Sequence, residues 1–554
     1  MISIRPIALA GAALLAVCLS ASAQKAAQPT RADAEKDPVL KAMLTELDRS
    51  KSQLQLKDFQ KPFFIQYRIE DVDSFETRAE FGATVRSQRG RVRVARVTVR
   101  VGDYKSDSSS GQGDGVAEVT AMDNDPIALR SALWWATDQA YKNALAIYAQ
   151  KQAALKQVET PPQADDFSQE TPVISLAEPL KLQVDRDAWE RMLANASGLF
   201  LTDPALKTGK DSVEYSKAFL DAIGKTTYLV NSEGAIIRSS QTRYDEDFSV
   251  GGQAADGMRL DRSYYIAGNS PADMDTAEAF NRHAIECIQG LAELRAAPLV
   301  EEEYPGPLLM DADAAAGTLK GLLAHAFTAS RPALGTEART NGAFASSYHA
   351  RVLPDSFDVV DDPGEKSYNG ESLVGTYDVD AEGVPAQAVK LVEAGKLENY
   401  LIGREPVRDF PHSNGHGRAP VFGVPQSSIA VLKITAKDGI AAAELDRKLL
   451  DIGKDSGLPS VYFVEAMAGE MNPRLLYKVT PDGKRVLVRG ARFQDLDLRT
   501  LRSGIVAAGK DMFANNQLGS LPETVLAPAL LFDDVTIRRA NEKNDKLPFY
   551  SPPE

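Results

Sequence analysis

Four of the chain's five histidines lie between Gly306 and Arg418. Thr318-Leu319-Lys320-Gly321-Leu322-Leu323-Ala324-His325 puts an amine and an imidazole on one helix-like stretch, five residues apart. An imidazole can ligate a metal or act as a base near neutral pH, whereas a lysine ammonium repels a cation beside it. Asp361, Asp362, Asp380 and Glu382 are carboxylates that either form an acid–base pair or cap turns and face solvent, the commoner use of such residues. Ser413-Asn414-Gly415-His416-Gly417-Arg418 is a Gly-rich loop whose backbone can approach a ligand closely. Asn414, Gly415, His416, Gly417 and Arg418 are therefore candidate substrate-binding residues. His412 and His416 share the loop with Asp409, a conceivable metal set, although lining a groove is the plainer reading.

Other candidates are weaker. Cys287 follows His283 by one helical turn, a spacing that permits a thiol–imidazole pair; a small buried cysteine is the reading preferred. Gly102 to Gly115 contains Asp103, Asp107 and Asp114, but neither the ligand spacing nor the closing glutamate of a calcium loop, so a mobile loop is expected. There is no Gly-x-Ser-x-Gly elbow and no phosphate-binding Gly/Lys loop.

The whole chain has 554 residues, 44% of them apolar and 25% charged, with a net charge of −14. That length calls for two domains, and the acidic balance argues against nucleic acid or an anionic membrane as partner. Arg5, the apolar run Pro6 to Leu19 and Ala21-Ser22-Ala23 make a cleavable export signal, with cleavage expected after Ala23. Lipidation would use Cys18, but Val17 stands where a small residue is needed. The mature chain is thus expected in a periplasm or outside the cell, with Cys287 its one thiol and no membrane attachment beyond the leader.

These candidates need elements to position them. Pro38 to Ser50 reads as an amphipathic helix; Phe63 to Glu70 and Glu80 to Gly102 read as strands. A helix is expected from Asn124-Asp125-Pro126 to about Gln157, with Trp134 and Trp135 packed in its apolar stripe. Thr160 to Glu170, within a linker or insert near 158–172, reads as a surface excursion. Asp185 to Ala196 is helical, and a further short helix is expected within Ser212 to Thr226. Tyr228 to Arg238 is a strand, a tight turn at Gly234 and a strand. After the helix Ser270 to Leu294, a boundary falls near residue 300, giving domains 24–300 and 301–554. Beyond it come a strand at Leu308-Leu309-Met310, a helix from Ala314 to Thr328 capped by Asp311 or Asp313, and strands at Leu353 to Val360 and around Gly395.

Asp361-Asp362-Pro363, Asp380-Ala381-Glu382-Gly383-Val384-Pro385, Leu391 to Leu397 and Asn414-Gly415-His416-Gly417-Arg418 occur in that order. Together they resemble the C-terminal region of the TldD/PmbA family of zinc peptidases and their metal-free relatives; Asn231-Ser232-Glu233-Gly234 resembles a hairpin of that family's N-terminal domain. The resemblance implies an α+β protein: an N-terminal α/β domain, then a mostly antiparallel β domain with a buried helix. In active members that helix carries His-Glu-x-x-x-His, and a late cysteine is the third zinc ligand. Such a site needs two imidazoles, a thiolate, an open position for water and a basic glutamate. Five-residue spacing sets the two imidazoles about 140° apart on a regular helix, so the family's helix must be distorted to converge them.

Aligned on His325, this chain has Lys320 for the first histidine, Gly321 for the glutamate, and no cysteine after Cys287. Lys320, Gly321 and His325 therefore mark a degenerate site, with no catalytic residue and no zinc or other cofactor expected. The resemblance implies an inactive subunit that pairs with an active TldD-like homologue, or with itself, around a cleft for unfolded peptides. The alternatives are a stand-alone peptide-binding scaffold, or a hydrolase with a rebuilt site using His325, His412 or His416.

Overall fold

Phe81 and Gly82 both adopt left-handed backbone (φ 51° and 86°), the conformation of a two-residue hairpin turn. They join β1 (Phe64–Glu80) to β2 (Ala83–Arg100), the first pair of a large sheet. The computed structural model describes residues 28–109, 115–202, 206, 213–301, 303–469 and 471–540. The expected leader, with Cys18 and the cleavage position, lies outside the described residues.

The sheet continues with β3 (Val116–Val119), β4 (Ile174–Leu176), β5 (Tyr215–Asn231), β6 (Ile236–Gln253) and β7 (Arg259–Gly268). Its order is β3-β2-β1-β5-β6-β4, with β7 also on β6, and every pairing but β4–β6 is antiparallel. Along the long strands, side chains point alternately to the two faces. Ile65, Tyr67, Ile69, Phe75 and Ala79 of β1 share a face with Ala218, Leu220, Ala222, Tyr228 and Val230 of β5 and with Tyr244, Phe248 and Val250 of β6. Helices cover that apolar face. After the single turn α1 (Arg31–Ala34), α2 (Pro38–Gln53) and α3 (Pro126–Leu155) pack on one half, and α4 (Arg186–Thr202) and α5 (Ala277–Ala296) on the other. Each large side chain so buried contributes about 1.5–3 kcal/mol.

Residues 215–226 are strand, not a short helix: Ser216, Ala218, Leu220 and Ala222 are buried with a period of two. Trp134 and Trp135 are about half exposed (50% and 49%). The buried stripe of α3 runs through Leu129, Leu133, Ala136, Ala140 and Ala144, and at 100° per residue the next two positions after Leu133 fall outside it. The 102–109 part of the expected mobile loop is tied down, with Asp107 fully buried and its Oδ2 accepting from Arg100 Nη1 at 2.7 Å. Nor is the 158–172 segment simply a surface excursion, because Asp166, Phe167 and Ser168 are buried.

Beyond residue 302 the chain forms β8 (Glu303–Met310), α6 (Ala312–Leu323), β9 (Phe357–Asp361), β10 (Ser367–Tyr368), β11 (Glu371–Ser372), β12 (Val389–Glu393) and β13 (Lys396–Leu397). Then come β14 (Gly417–Arg418), β15 (Gln426–Ser427), β16 (Val431–Ala436), α7 (Ala442–Asp455), β17 (Val461–Met467), β18 (Pro473–Val479) and β19 (Arg485–Val488). Last are β20 (Ala491–Phe493), α8 (Leu498–Ser503), β21 (Ile505–Leu518) and β22 (Pro522–Arg539). The main sheet runs β13-β12-β9-β16-β22-β8-β17-β18-β19, with β20 and β21 also on β22. It is mixed, since β16–β22 and β8–β17 are parallel. The protein is thus α+β, with α6 as the buried helix of the second sheet. Among the described residues no helix is long and apolar enough to cross a membrane.

Candidate functional site

Asp311 caps α6, its side chain accepting from Ala312 N at 2.7 Å. Ala314, Ala315, Ala316, Thr318, Leu319 and Leu323 face the core. The opposite stripe, Asp313, Gly317, Lys320, Gly321 and Ala324, follows the helical period and lines a cleft of about 690 Å³ together with His325. Residues of β7, β18 and β21 form the other walls, among them Tyr265, Arg474 and Asn515. All three positions singled out on this segment therefore face one cavity.

The helix ends at Leu323, earlier than the expected Thr328. Beyond it the backbone turns to pair with Leu401: Leu401 N donates to Phe327 O at 2.9 Å and Ala329 N to Leu401 O at 3.0 Å, which draws Phe327 into the core. His325 consequently sits on an exposed turn just past the helix.

Lys320 is held. Its Nζ lies 2.9 Å from Glu523 Oε2 and donates to Gln517 Oε1 at 2.7 Å. An ammonium already paired, a glycine and one exposed imidazole do not fit a zinc ion, which requires several neutral or anionic donors around it. Among the described residues no group of three His, Cys, Asp or Glu side chains is placed to hold a metal.

The loop histidines do not converge. His412 is exposed beside Glu170, whereas His416 is fully buried with Nε2 at 3.1 Å from Asp361 Oδ1. Asp361 also accepts from Ala430 N at 2.9 Å. Asn414 bridges the backbone, accepting from Ile402 N at 2.9 Å and donating to Tyr400 O at 2.7 Å. Gly415 has φ 75°, and a Cβ there would meet Pro385 O at 2.3 Å; one on Gly417 would meet Glu382 Oε2 at 2.1 Å. These four residues are spent on internal contacts. Arg418 also makes internal hydrogen bonds, to the Ile429 and Pro522 carbonyls, but it lines a chamber against the N-terminal sheet, its guanidinium 5.2 Å from the Tyr377 ring centre.

Asp380 and Glu382 do cap turns, but they are not surface groups. Asp380 accepts from the amides of Glu382, Val384 and Gly417, each at 2.9 Å. Burial, then the neighbouring Glu382, push its carboxyl up to about 8. Glu382 accepts from Arg404 N at 2.6 Å and is also pushed up, mainly by burial. Cys287 is buried, its thiol pushed up to about 11 by burial above all, and a thiol so held is inert near neutral pH. His283 stacks on Tyr264 instead, with ring centres 4.0 Å apart. Sequence reasoning passed over Arg404, Tyr265 and the polar positions of β5 and β6; the alternation of those strands was the available signal.

A mixed sheet with a buried helix lining a cleft thus stands beside a large, mainly antiparallel sheet. Residues 302–539 match the family profile of the PmbA/TldA metallopeptidase C-terminal domain. The chain's fold is shared, over 90% of its length, with a candidate modulator of DNA gyrase from Thermotoga maritima (14% identity, TM-score 0.59, 99% of that chain). It is likewise shared with TldE from Thermococcus kodakarensis (15%, 0.55, 99% of that chain) and with a candidate modulator of DNA gyrase from Bacteroides thetaiotaomicron (12%, 0.53, 98% of that chain). No curated protein sequence matches.

Proposed function

We propose that this chain is a metal-free subunit of an exported TldD/PmbA-type peptidase, pairing with an active homologue and contributing a cleft for unfolded peptide. The observation that carries this reading is Lys320. An ammonium neutralised by Glu523 occupies the helix face where the family resemblance calls for a zinc ligand. The cleft beside it remains open, which fits retained binding without hydrolysis. Export, with cleavage after Ala23, is part of the proposal; mass spectrometry of the secreted chain should find Gln24 first.

The chain from Gln24 onward, purified without added metal or chelator, is expected to carry substoichiometric zinc by elemental analysis. Peptide hydrolysis is expected only after mixing with a homologue that keeps His-Glu-x-x-x-His and the late cysteine. One zinc per chain, or turnover by this chain alone, would overturn the proposal. The double substitution Lys320→His with Gly321→Glu should still fail to hold stoichiometric zinc, because no thiolate follows Cys287 and His325 lies past the end of the helix.

A further inference from the structure

The polar face of the N-terminal sheet does not meet bulk solvent evenly. Between it and the C-terminal half lies a chamber of about 620 Å³, separate from the α6 cleft although Tyr265 borders both. The charges of its walls are sorted. Glu76, Asp221 and Asp245 are direct cross-strand neighbours on β1, β5 and β6 and form an acidic row. Lys225 lies four residues from Asp221 on β5 and Arg243 two residues from Asp245 on β6, with Arg68 and Arg418 also in the wall.

Glu76 is paired with Arg86 and Lys225 with Glu70, but Arg243, Arg418, Asp221 and Asp245 have no ion-pair partner among the described residues. Arg243 turns away from Asp245 and donates to the Thr242 and Thr376 carbonyls and to Asn269 Oδ1. Arg418 donates to the Ile429 and Pro522 carbonyls. Among the described residues neither guanidinium has a carboxylate within ion-pair distance. Asp380, also in the wall, is engaged by three backbone amides, and Glu70 is shared between Lys225 at 3.4 Å and the Phe422 amide at 2.6 Å. Burial, then the charge of Arg418, push Arg243 down to about 10. At the other pole, burial, then Asp221 and Asp247, push Asp245 up to about 7. Unpaired like charges lining one cavity stabilise a ligand of opposite charge.

We propose that this chamber binds a short dipolar ligand of peptide dimensions, its carboxylate on Arg243 and Arg418 and its ammonium on Asp221 and Asp245. The spacing sets the size. Arg243 and Asp245 lie two residues apart along β6, about 7 Å, and the guanidinium turns away from Asp245, a separation that suits the terminal charges of an extended di- to tripeptide at about 3.5 Å per residue. The inference stands on these residues alone and does not depend on the role given to α6.

Isothermal titration calorimetry of the mature chain with trialanine, N-acetyl-trialanine and trialanine amide tests it. Free trialanine is expected to bind at least about tenfold more tightly than either blocked form, the discrimination of roughly one charge-assisted contact. Arg243→Gln should make the free acid and the amide bind alike; Asp245→Asn should do so for the free and acetylated amines. The wild-type comparison needs no variant, so a variant that fails to fold leaves the test intact. No binding of trialanine at millimolar concentration, or equal binding of all three peptides to the wild type, would overturn the proposal. So would a folded variant, judged by circular dichroism and unfolding midpoint, that keeps its discrimination.

Discussion

Replacing Arg404 by methionine is expected to cost about 3–5 kcal/mol of stability, the usual penalty for removing one partner of a buried ion pair. Arg404 is 1% exposed and comes from the C-terminal half, yet its guanidinium contacts are with the N-terminal half. Its Nη1 and Nη2 reach the two carboxylate oxygens of Glu233 at 2.7 and 2.8 Å, and Nη2 also donates to the Ser168 carbonyl. The guanidinium lies 3.9 Å from the Phe167 ring centre and 5.0 Å from that of Phe64. Glu233 is set by the β5–β6 turn, where Asn231 Oδ1 accepts from the amides of Glu233, Gly234 and Ala235 and Gly234 takes φ 115°. Methionine would leave Glu233 mostly buried without a counter-charge. The double variant Arg404→Met with Glu233→Gln removes both charges, so its cost should fall below the sum of the two single losses. Urea unfolding of the four proteins checks this; additive losses would mean the pair does not join the two halves.

At pH 8, Glu246→Gln is expected to raise the unfolding midpoint, and at pH 4.5 to leave it nearly unchanged. Glu246 lies on β6 in phase with Tyr244, Phe248 and Val250, so it points into the apolar face under α5. One oxygen accepts weakly from Asp275 N at 3.3 Å and the other has no hydrogen-bond partner. Burial, reinforced by Asp275 and Asp245, pushes its carboxyl up to about 8 from an ordinary 4.5. A carboxyl raised in the folded state contributes fully to stability below its unfolded value, and that contribution is lost as pH rises through the folded value. At about 1.4 kcal/mol per pH unit, the penalty on the wild type approaches 4 kcal/mol by pH 8. Glutamine keeps an acceptor for Asp275 N and carries no charge. The difference between the two proteins should therefore grow from pH 4.5 to 8; a constant difference would show that Glu246 does not titrate in that window.

Much of the frame was legible in the chain. The Asp125-Pro126 helix start, the Asn231–Gly234 turn and the strand–helix step from Met310 into α6 follow from local rules of capping and backbone angle. The misreadings have local causes too. Residues 215–226 carry small and charged residues whose helical propensity competes with a period-two pattern. Trp134 and Trp135 invite a core assignment by type alone, although their angular position on α3 excludes it. On the site, the chain alone puts Lys320 and Gly321 where the family resemblance calls for a histidine and a glutamate. It did not reveal that Lys320 is paired with Glu523, a partner 203 residues away.

What the sequence by itself determined is the two-faced character of the first long strands and the presence of Lys320 and Gly321 where the resemblance calls for a histidine and a glutamate, because both depend only on residue type and spacing. Alternation assigns Ile65, Tyr67 and Ile69 to one face of β1 and Gln66, Arg68 and Glu70 to the other. It cannot say what stands opposite the polar face, and by type alone that face would be solvated. In the folded protein the loop around Phe422 and Gly423 closes over it. Glu70 accepts from Phe422 N, and Arg68 and Arg96 donate to the Gly423 and Phe422 carbonyls. The polar face so becomes the wall of a chamber rather than a surface. That outcome was decided by tertiary structure, because desolvation of a charge depends on neighbours hundreds of residues away, and no periodicity encodes them.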